Sequence, residues 1–335
     1  MEFGITLKPE ADVPRMIRLA QSAERLGFDY CWLFDSHVLW PDPYPVLTLI
    51  ASNTERLRLG TCVTNPATRE PSVTASSLAL LQIVSRGRMQ LGIGRGDSAR
   101  RVLGRPPTTL ATLEAATLAI RELAEGRSIQ LDGTAIQIPW APSHRLPVWI
   151  AGYGPKALAL TGRIADGAII QIADPELIGW CAALLREGAL AAGRDPTALA
   201  LMAAAPAHVG RRAEARERVR WFPALVSNHV IDLLNRYDPT TLPVGLTAYV
   251  RNRAGYDYRH HAEVGSSNAA FVDDESVDRF CVVGEVDEHV AKLRQLGAAG
   301  VDQFNIYLMN GDEERMLEIY GREVIPELSA AGAAQ

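Results

Sequence analysis

Short runs of apolar residues, each followed by a stretch of helical spacing, recur along the whole 335-residue chain, and this alternation restricts the fold more than any other feature. FGITL (3–7), YCWLF (30–34), LRLGTCV (57–63) and MQLGIG (89–94) come first. PVWIAG (147–152), GAIIQIA (167–173), LALMAA (199–204) and VDQFNIYL (301–308) follow. Strands buried on both faces read as continuous apolar runs, whereas a strand with one wet face alternates. Between the runs, apolar residues return every three or four positions. Met16, Ala20 and Ala23 do so ahead of Gly27, and Val286, Val290, Leu293 and Leu296 do so within 286–297. Each set forms one stripe of a helix. Further helices are predicted over 44–53, after the proline-rich turn PDPYP, over 72–85 and over 313–325, ending at Ile325-Pro326.

The early units repeat at roughly 25–35 residues, the length a parallel crossover requires. An open doubly wound sheet is the rival architecture. Eight regular units without a break in composition favour a closed (β/α)8 (TIM) barrel, an α/β fold formed by residues 1–335 as one domain. Two stretches leave the pattern. Residues 127–146 read as a β-hairpin excursion turning at Asp132-Gly133. Residues 207–280 form a long, partly helical and aromatic insertion, which is expected to roof the site because βα loops project from the catalytic face.

The charge balance narrows the partners. With 34 basic and 39 acidic residues, a net charge of −5 and no basic block, neither nucleic acid nor an anionic membrane surface is expected. A small anionic ligand held by a helix N-terminus stays open. Cys31, Cys62, Cys181 and Cys281 lie far apart with no C-x-x-C pair, so no zinc cage or disulfide framework is expected. The start MEFGITLKPE lacks the features of a signal peptide, and no apolar stretch is long enough to span a bilayer. These features predict a soluble, cytoplasmic protein. The seven histidines show no metal-ligand spacing, and there is no G-x-S-x-G elbow or P-loop. His260 and His261 are adjacent and would point apart.

Barrels place chemistry at the C-terminal ends of their strands. WLFDSHVLWPD puts Asp35, Ser36, His37 and Trp40 at the second strand end, where Asp35 would either face a ligand or cap the next helix. GTCVTNPATREP follows the third strand, with Cys62, Thr64 and then Asn65-Pro66; a plain strand exit is the other reading. GIGRGDSARR follows the fourth. Its glycines would let backbone approach a flat ring, with Asp97, Ser98 and Arg100 beside it, although the full dinucleotide fingerprint is absent. AGYGPKALAL follows the fifth, where Gly152, Tyr153, Gly154 and Pro155 open a helix whose free N–H groups suit a phosphate or simply make a tight turn.

Together LGTCVTNPATREP, RMQLGIGRGDS and VWIAGYGPKAL…ADGAII resemble the luciferase-like flavin and deazaflavin oxidoreductases over nearly the whole chain. The likeness is strongest to the branch using the deazaflavin coenzyme F420, which includes methylenetetrahydromethanopterin reductase. The resemblance implies a non-prolyl cis peptide at Cys62-Val63, a bulge behind the tricyclic ring, with Thr64 and Asn65 nearby. It implies that Gly152 to Pro155 bind the ribityl-phosphate region, that Asp35 lies near the ring and that Trp40 lines the substrate side. Asp97 stands where relatives often carry an acidic proton-transfer residue, usually Glu. Some relatives read Asp-His at the second strand, with that histidine as base. Here Ser36 holds that position, and His37, displaced by one residue, is carried as a candidate base.

The resemblance thus predicts hydride transfer between F420 and a small organic substrate, with Asp97 or His37 handling the proton. Trp40 and the insertion's Trp221, Tyr249, Tyr256 and Tyr258 would wall the pocket. The alternative is an FMN-dependent two-component monooxygenase on the same barrel; a binding protein without catalysis is a third reading, disfavoured by the intact glycine loops. A homodimer is implied by the resemblance alone.

Overall fold

The computed structural model describes residues 1–131 and 133–332. Eight parallel strands close into a barrel: β1 (Glu2–Leu7), β2 (Tyr30–Leu33), β3 (Arg58–Thr61), β4 (Met89–Ile93), β5 (Val148–Ala151), β6 (Gly167–Ile170), β7 (Ala200–Ala205) and β8 (Gln303–Leu308). Each strand pairs with its neighbour in sequence, and β8 returns to β1 in a six-residue register from Glu2–Gln303 to Leu7–Leu308. The eight runs picked out in the sequence are these eight strands. They read as unbroken apolar segments because one face packs into the barrel and the other under the helices.

The barrel is plugged by aromatic side chains. Tyr30 and Trp32 stack at 5.7 Å, and Trp149 meets Trp32 edge-on at 5.8 Å. The Trp149 indole N–H donates to Gln90 at 3.0 Å. Glycines on neighbouring strands make room for these rings. A Cβ on Gly60 would lie 2.3 Å from the Trp32 ring, and one on Gly167 would lie 2.2 Å from Trp149. With these rings filling the middle of the barrel, the large cleft lies above them at the strand ends.

Local signals set the helix starts. Asp42, not Asp35, caps the helix Pro43–Ser52, accepting the Tyr44 N–H at 3.0 Å. Glu70 caps Pro71–Val84, and in both helices proline occupies the first turn, where its missing N–H costs nothing. The hairpin is confined to Ile129–Leu131 and Thr134–Ile136, and Asp132 of its expected turn lies outside the described residues. The last helix does not stop at Ile325-Pro326. The chain widens into a π-type turn over Tyr320–Val324 and continues as Ile325–Gly332, so the proline is absorbed rather than obeyed.

The insertion after β7 is fastened at both ends. Ala207–Val209, on the way in, pairs in parallel with Val282–Gly284, on the way out. Between them the helices Arg212–Val219, Trp221–Leu234 and Asp274–Phe280, with several short helical turns, lie over the C-terminal face. At the exit, the half-buried Lys292 ammonium donates to the carbonyl oxygens of Asp278, Arg279 and Cys281, the free carbonyls at the end of Asp274–Phe280. His289 ties the same corner down, bonding the Tyr320 hydroxyl at 2.8 Å and the His208 carbonyl at 3.2 Å.

Candidate active site

The strand ends and the insertion enclose an open cleft at the C-terminal mouth. After β2 a turn closes on the Ser36 carbonyl, which accepts the N–H groups of Leu39 and Trp40 at 2.8 and 3.0 Å. This turn carries His37 out to solvent and folds Trp40 back, so that its indole stacks on Phe34 at 5.2 Å and faces the cleft. The candidate base His37 is therefore absent from the cleft, for the geometric reason that a one-residue shift changes the side on which a side chain emerges. Ser36 lines the cleft and shares a hydrogen bond with the Ser98 hydroxyl.

Asp35 is buried and lines the cleft. The Thr64 hydroxyl donates to its Oδ2 at 2.6 Å and accepts from the Tyr44 hydroxyl at 3.2 Å. Burial outweighs the Thr64 hydrogen bond and raises the Asp35 carboxyl above its ordinary range. Thr64 thus acts behind the wall rather than in it.

After β3 the Cys62–Val63 peptide is cis, and both residues line the cleft. Asn65 follows, 2 % exposed. Its Oδ1 accepts the N–H groups of Ala67 and Thr68 at 3.0 and 3.1 Å, which turns the amide around and leaves Nδ2 of this cleft-lining residue buried and without a partner. A buried donor with nothing to donate to is costly unless a ligand completes it.

Glycine shapes the next two walls. A Cβ on Gly94 would lie 2.9 Å from Val63 Cγ2, and one on Gly154 would lie 2.7 Å from Leu233. Gly96 turns with φ +79°, bringing Asp97 to the cleft. Asp97 accepts from Arg101 Nε at 2.6 Å and from the Tyr258 hydroxyl at 3.2 Å. Arg100 is not at the cleft: its Nε donates to the Pro106 carbonyl at 2.5 Å, fixing the loop from outside. Arg95 and Arg236 take the cationic positions instead. After β5, Gly152, Tyr153 and Gly154 line the cleft, whereas Pro155 only starts the helix Pro155–Ile164, whose Lys156 N–H donates to the Tyr237 hydroxyl at 3.3 Å.

The aromatic wall differs from the expected one. Trp221 is buried beneath the roof, donating to Asn310 at 3.0 Å, and Tyr249 bonds the Pro223 carbonyl at 3.1 Å. Neither reaches the cleft, because the helix Trp221–Leu234 turns its other face, Leu225, His229, Asp232 and Leu233, towards it. Tyr256 and Tyr258 stand behind His261, which does line the cleft. His260 points away to Glu263, so the adjacent pair divides as expected.

Sequence reading missed His229, His261, Gln171 and Tyr237 in the cleft, and Tyr307 beneath it. Only Gln171 carried a signal, as the single polar residue in the run GAIIQIA at a strand end. Its amide donates to the Tyr307 hydroxyl at 2.6 Å. His229 stacks on Tyr153 at 4.8 Å, and loss of solvation lowers its pKa. Among the described residues no His, Cys, Asp and Glu cluster is arranged to hold a metal ion.

A closed parallel barrel with a glycine-walled, partly polar cleft over its strand ends defines a (β/α)8 barrel protein built to hold a flat ligand at its C-terminal face. The chain belongs to the luciferase-like monooxygenase family, whose profile matches residues 1–303. It is 30% identical to the 5,10-methylenetetrahydromethanopterin reductase of Methanolobus tindarius, over 97% of this chain and 100% of that one. It is 28% identical to the F420-dependent glucose-6-phosphate dehydrogenase of Microbacterium testaceum, over 98% and 97%. The structure of the coenzyme F420-dependent tetrahydromethanopterin reductase from Methanopyrus kandleri shares the fold, with a TM-score of 0.78 and 24% identity, over 98% of this chain and 99% of that one.

Proposed function

We propose that this protein is an F420-dependent oxidoreductase that moves a hydride between the deazaflavin and a small organic substrate. The observation that carries the reading is the unpartnered Asn65 Nδ2, buried at the foot of the cleft where the chain passes the cis peptide. It offers one hydrogen-bond donor to a ring carbonyl. Cys62, Val63 and Gly94 would support the ring's face, and Asp35 would lie at its polar edge. Gly152 to Gly154, the helix start behind them and the Arg95 and Arg236 guanidinium groups suit an anionic side chain. When bound, F420 supplies a two-electron hydride donor or acceptor.

The chain's own residues do the rest. Trp40 and Phe34 present aromatic faces for a substrate, and the insertion screens the reacting groups from water. Asp97 is held as an ion-paired carboxylate by Arg101. The family description keeps a second reading open, a monooxygenase using reduced FMN.

Titration of the protein with oxidised F420 and with FMN, followed by absorbance and fluorescence, separates the two. Tight F420 binding with no FMN binding is expected, and the reverse overturns the assignment. Within the same proposal the protein is a cytoplasmic homodimer. The four free, buried cysteines fit a reducing compartment. No described helix is long and apolar enough to cross a membrane. The exposed Leu49, Val73, Leu80 and Ile83 on Pro43–Ser52 and Pro71–Val84 offer a face for a second copy. Sedimentation equilibrium tests the dimer.

A further inference from the structure

The group that settles the charge balance of the cleft does not line it. Between the loop after β4 and the roof helix Trp221–Leu234, the lining residues include two carboxylates, Asp97 and Asp232, and two guanidinium groups, Arg95 and Arg236. By themselves these cancel. Asp35 belongs to the β2 side, bonded to Thr64 at 2.6 Å. The end of the roof helix abuts the exit of β5: a Cβ on Gly154 would lie 2.7 Å from Leu233 and 3.2 Å from the Tyr237 ring, and the Tyr237 hydroxyl accepts the Lys156 N–H at 3.3 Å. Asp232 therefore stands on the element that packs against the helix start assigned to an anion. Unmatched, its carboxylate would repel that anion.

Arg101 is the match. It closes the one-turn helix Ser98–Arg101, its own N–H donating to the Asp97 carbonyl at 2.9 Å. From there its Nε donates to Asp97 Oδ1 and its Nη2 to Asp232 Oδ1, both at 2.6 Å. One guanidinium thus spans the rim and the roof and answers both carboxylates. The side chains of Asp97 and Asp232 are only 16 % and 23 % exposed, so water screens them poorly and the neighbouring charge counts. The other guanidinium groups are placed differently. Arg95 spends its Nε on the Thr108 carbonyl at 2.5 Å, and Arg236 approaches Asp232 only to 4.0 Å. The Tyr258 hydroxyl, 3.2 and 3.3 Å from the two Asp97 oxygens, brings a hydrogen bond but no charge.

We propose that Arg101 is a positioning residue for the anionic side chain of the cofactor, acting through Asp97 and Asp232. This rests on the functional reading above. By pairing with both carboxylates it leaves the group of five with a surplus of one positive charge, where the four lining residues alone would have none. Arg95 and Arg236 are thereby free to face an anion instead of being cancelled by the acids beside them. The ligand chemistry is that of a phosphate- or carboxylate-bearing tail. The contribution is electrostatic, so it depends on the charge of the tail and on ionic strength, and not on the ring.

Fluorescence titrations with two probes test this: F420 itself, and the truncated deazaflavin that keeps the ring and ribityl chain but lacks the phosphate and carboxylates. In Arg101→Gln the affinity for F420 is expected to fall about tenfold at low salt. The gap should close as sodium chloride is added, while the truncated probe binds as it does to the native protein. An equal loss for both probes, or no loss for F420, overturns the proposal. Arg101→Gln combined with Asp232→Asn restores the charge balance without restoring the bridge, and most of the F420 affinity should return. A double variant as weak as Arg101→Gln overturns the proposal, because a mechanical tie between rim and roof then accounts for the loss. Asp232→Asn alone keeps Arg101 on Asp97 and serves where Arg101→Gln does not fold. It should bind F420 more tightly and the truncated probe unchanged; equal or weaker F420 binding overturns the proposal. Native protein that binds neither probe strikes the functional reading and this proposal with it. Native binding of both that these substitutions leave unaltered strikes the proposal alone.

Discussion

The mouth of the barrel and the roof above it contribute to one cleft by opposite means. The mouth is built from strand ends in which glycines and a reversed amide create space and polarity on a rigid frame. The roof, residues 207–280, brings side chains on helices tied down by the strand pair at their feet and by rim contacts such as Arg101–Asp232, Arg279–Asp174 and Tyr258–Asp97. Their electrostatics differ too. In the mouth, burial raises Asp35; in the roof and its anchor, loss of solvation lowers His229, His261 and His289. The rigid frame fixes where a ligand lies, and the appended layer fixes what faces it.

Acid offers the strongest way to pull the two regions apart. His289 is fully buried, and burial lowers its pKa from 6.5 to about 4. Below pH 6.5 the unfolded chain takes up a proton that the folded one refuses, so stability is lost as pH falls towards 4. That loss is on the order of 3 kcal/mol for His289, and His261 acts in the same direction. Asp35 has the opposite sign: its raised pKa makes the folded state bind the proton better, so acid favours its site. Hydrogen exchange between pH 7 and 4 should therefore accelerate first in peptides of the roof and of Val286–Ala298. Equal acceleration in β2 to β5 would erase the distinction.

The roof's anchor can also be cut directly. Lys292→Met strips the donor from three carbonyl oxygens, and a loss of about 2 kcal/mol in denaturant unfolding is expected. Gly94→Val attacks the mouth instead, driving methyl groups into Val63. A fall of about tenfold in F420 affinity is expected, roughly 1.4 kcal/mol, read from a fluorescence titration. The smallest effect belongs to the link between the regions. Tyr258→Phe removes one hydrogen bond to Asp97, and about 1 kcal/mol of stability should go with it. A larger loss would mean the two layers are one cooperative unit.

The sequence was informative wherever chemistry is local. Apolar runs marked all eight strands because double burial leaves no polar face to confuse the period. Position at a strand end was enough to bring Asp35, Asn65, Asp97 and Gly152 to the cleft. It failed where direction depends on a single turn. His37 and Arg100 sit within a residue or two of cleft-lining neighbours, yet the Ser36 turn and the Pro106 carbonyl carry them outside. It failed again in the roof, where the conspicuous aromatics Trp221 and Tyr249 proved to be packing and His261 proved to line the cleft.

By itself, then, the sequence determined the barrel, the order of its units and the rim loops that must surround a ligand. Those follow from periodicity and chain direction, which each segment carries within itself. Only the tertiary structure decided that Asn65 turns its amide so that Nδ2 is left over, and that Tyr256 and Tyr258 close around His261. Both depend on groups distant in sequence or on a local fold that consumes one end of a side chain, and hydrogen-bond direction is settled only when every competing partner is in place.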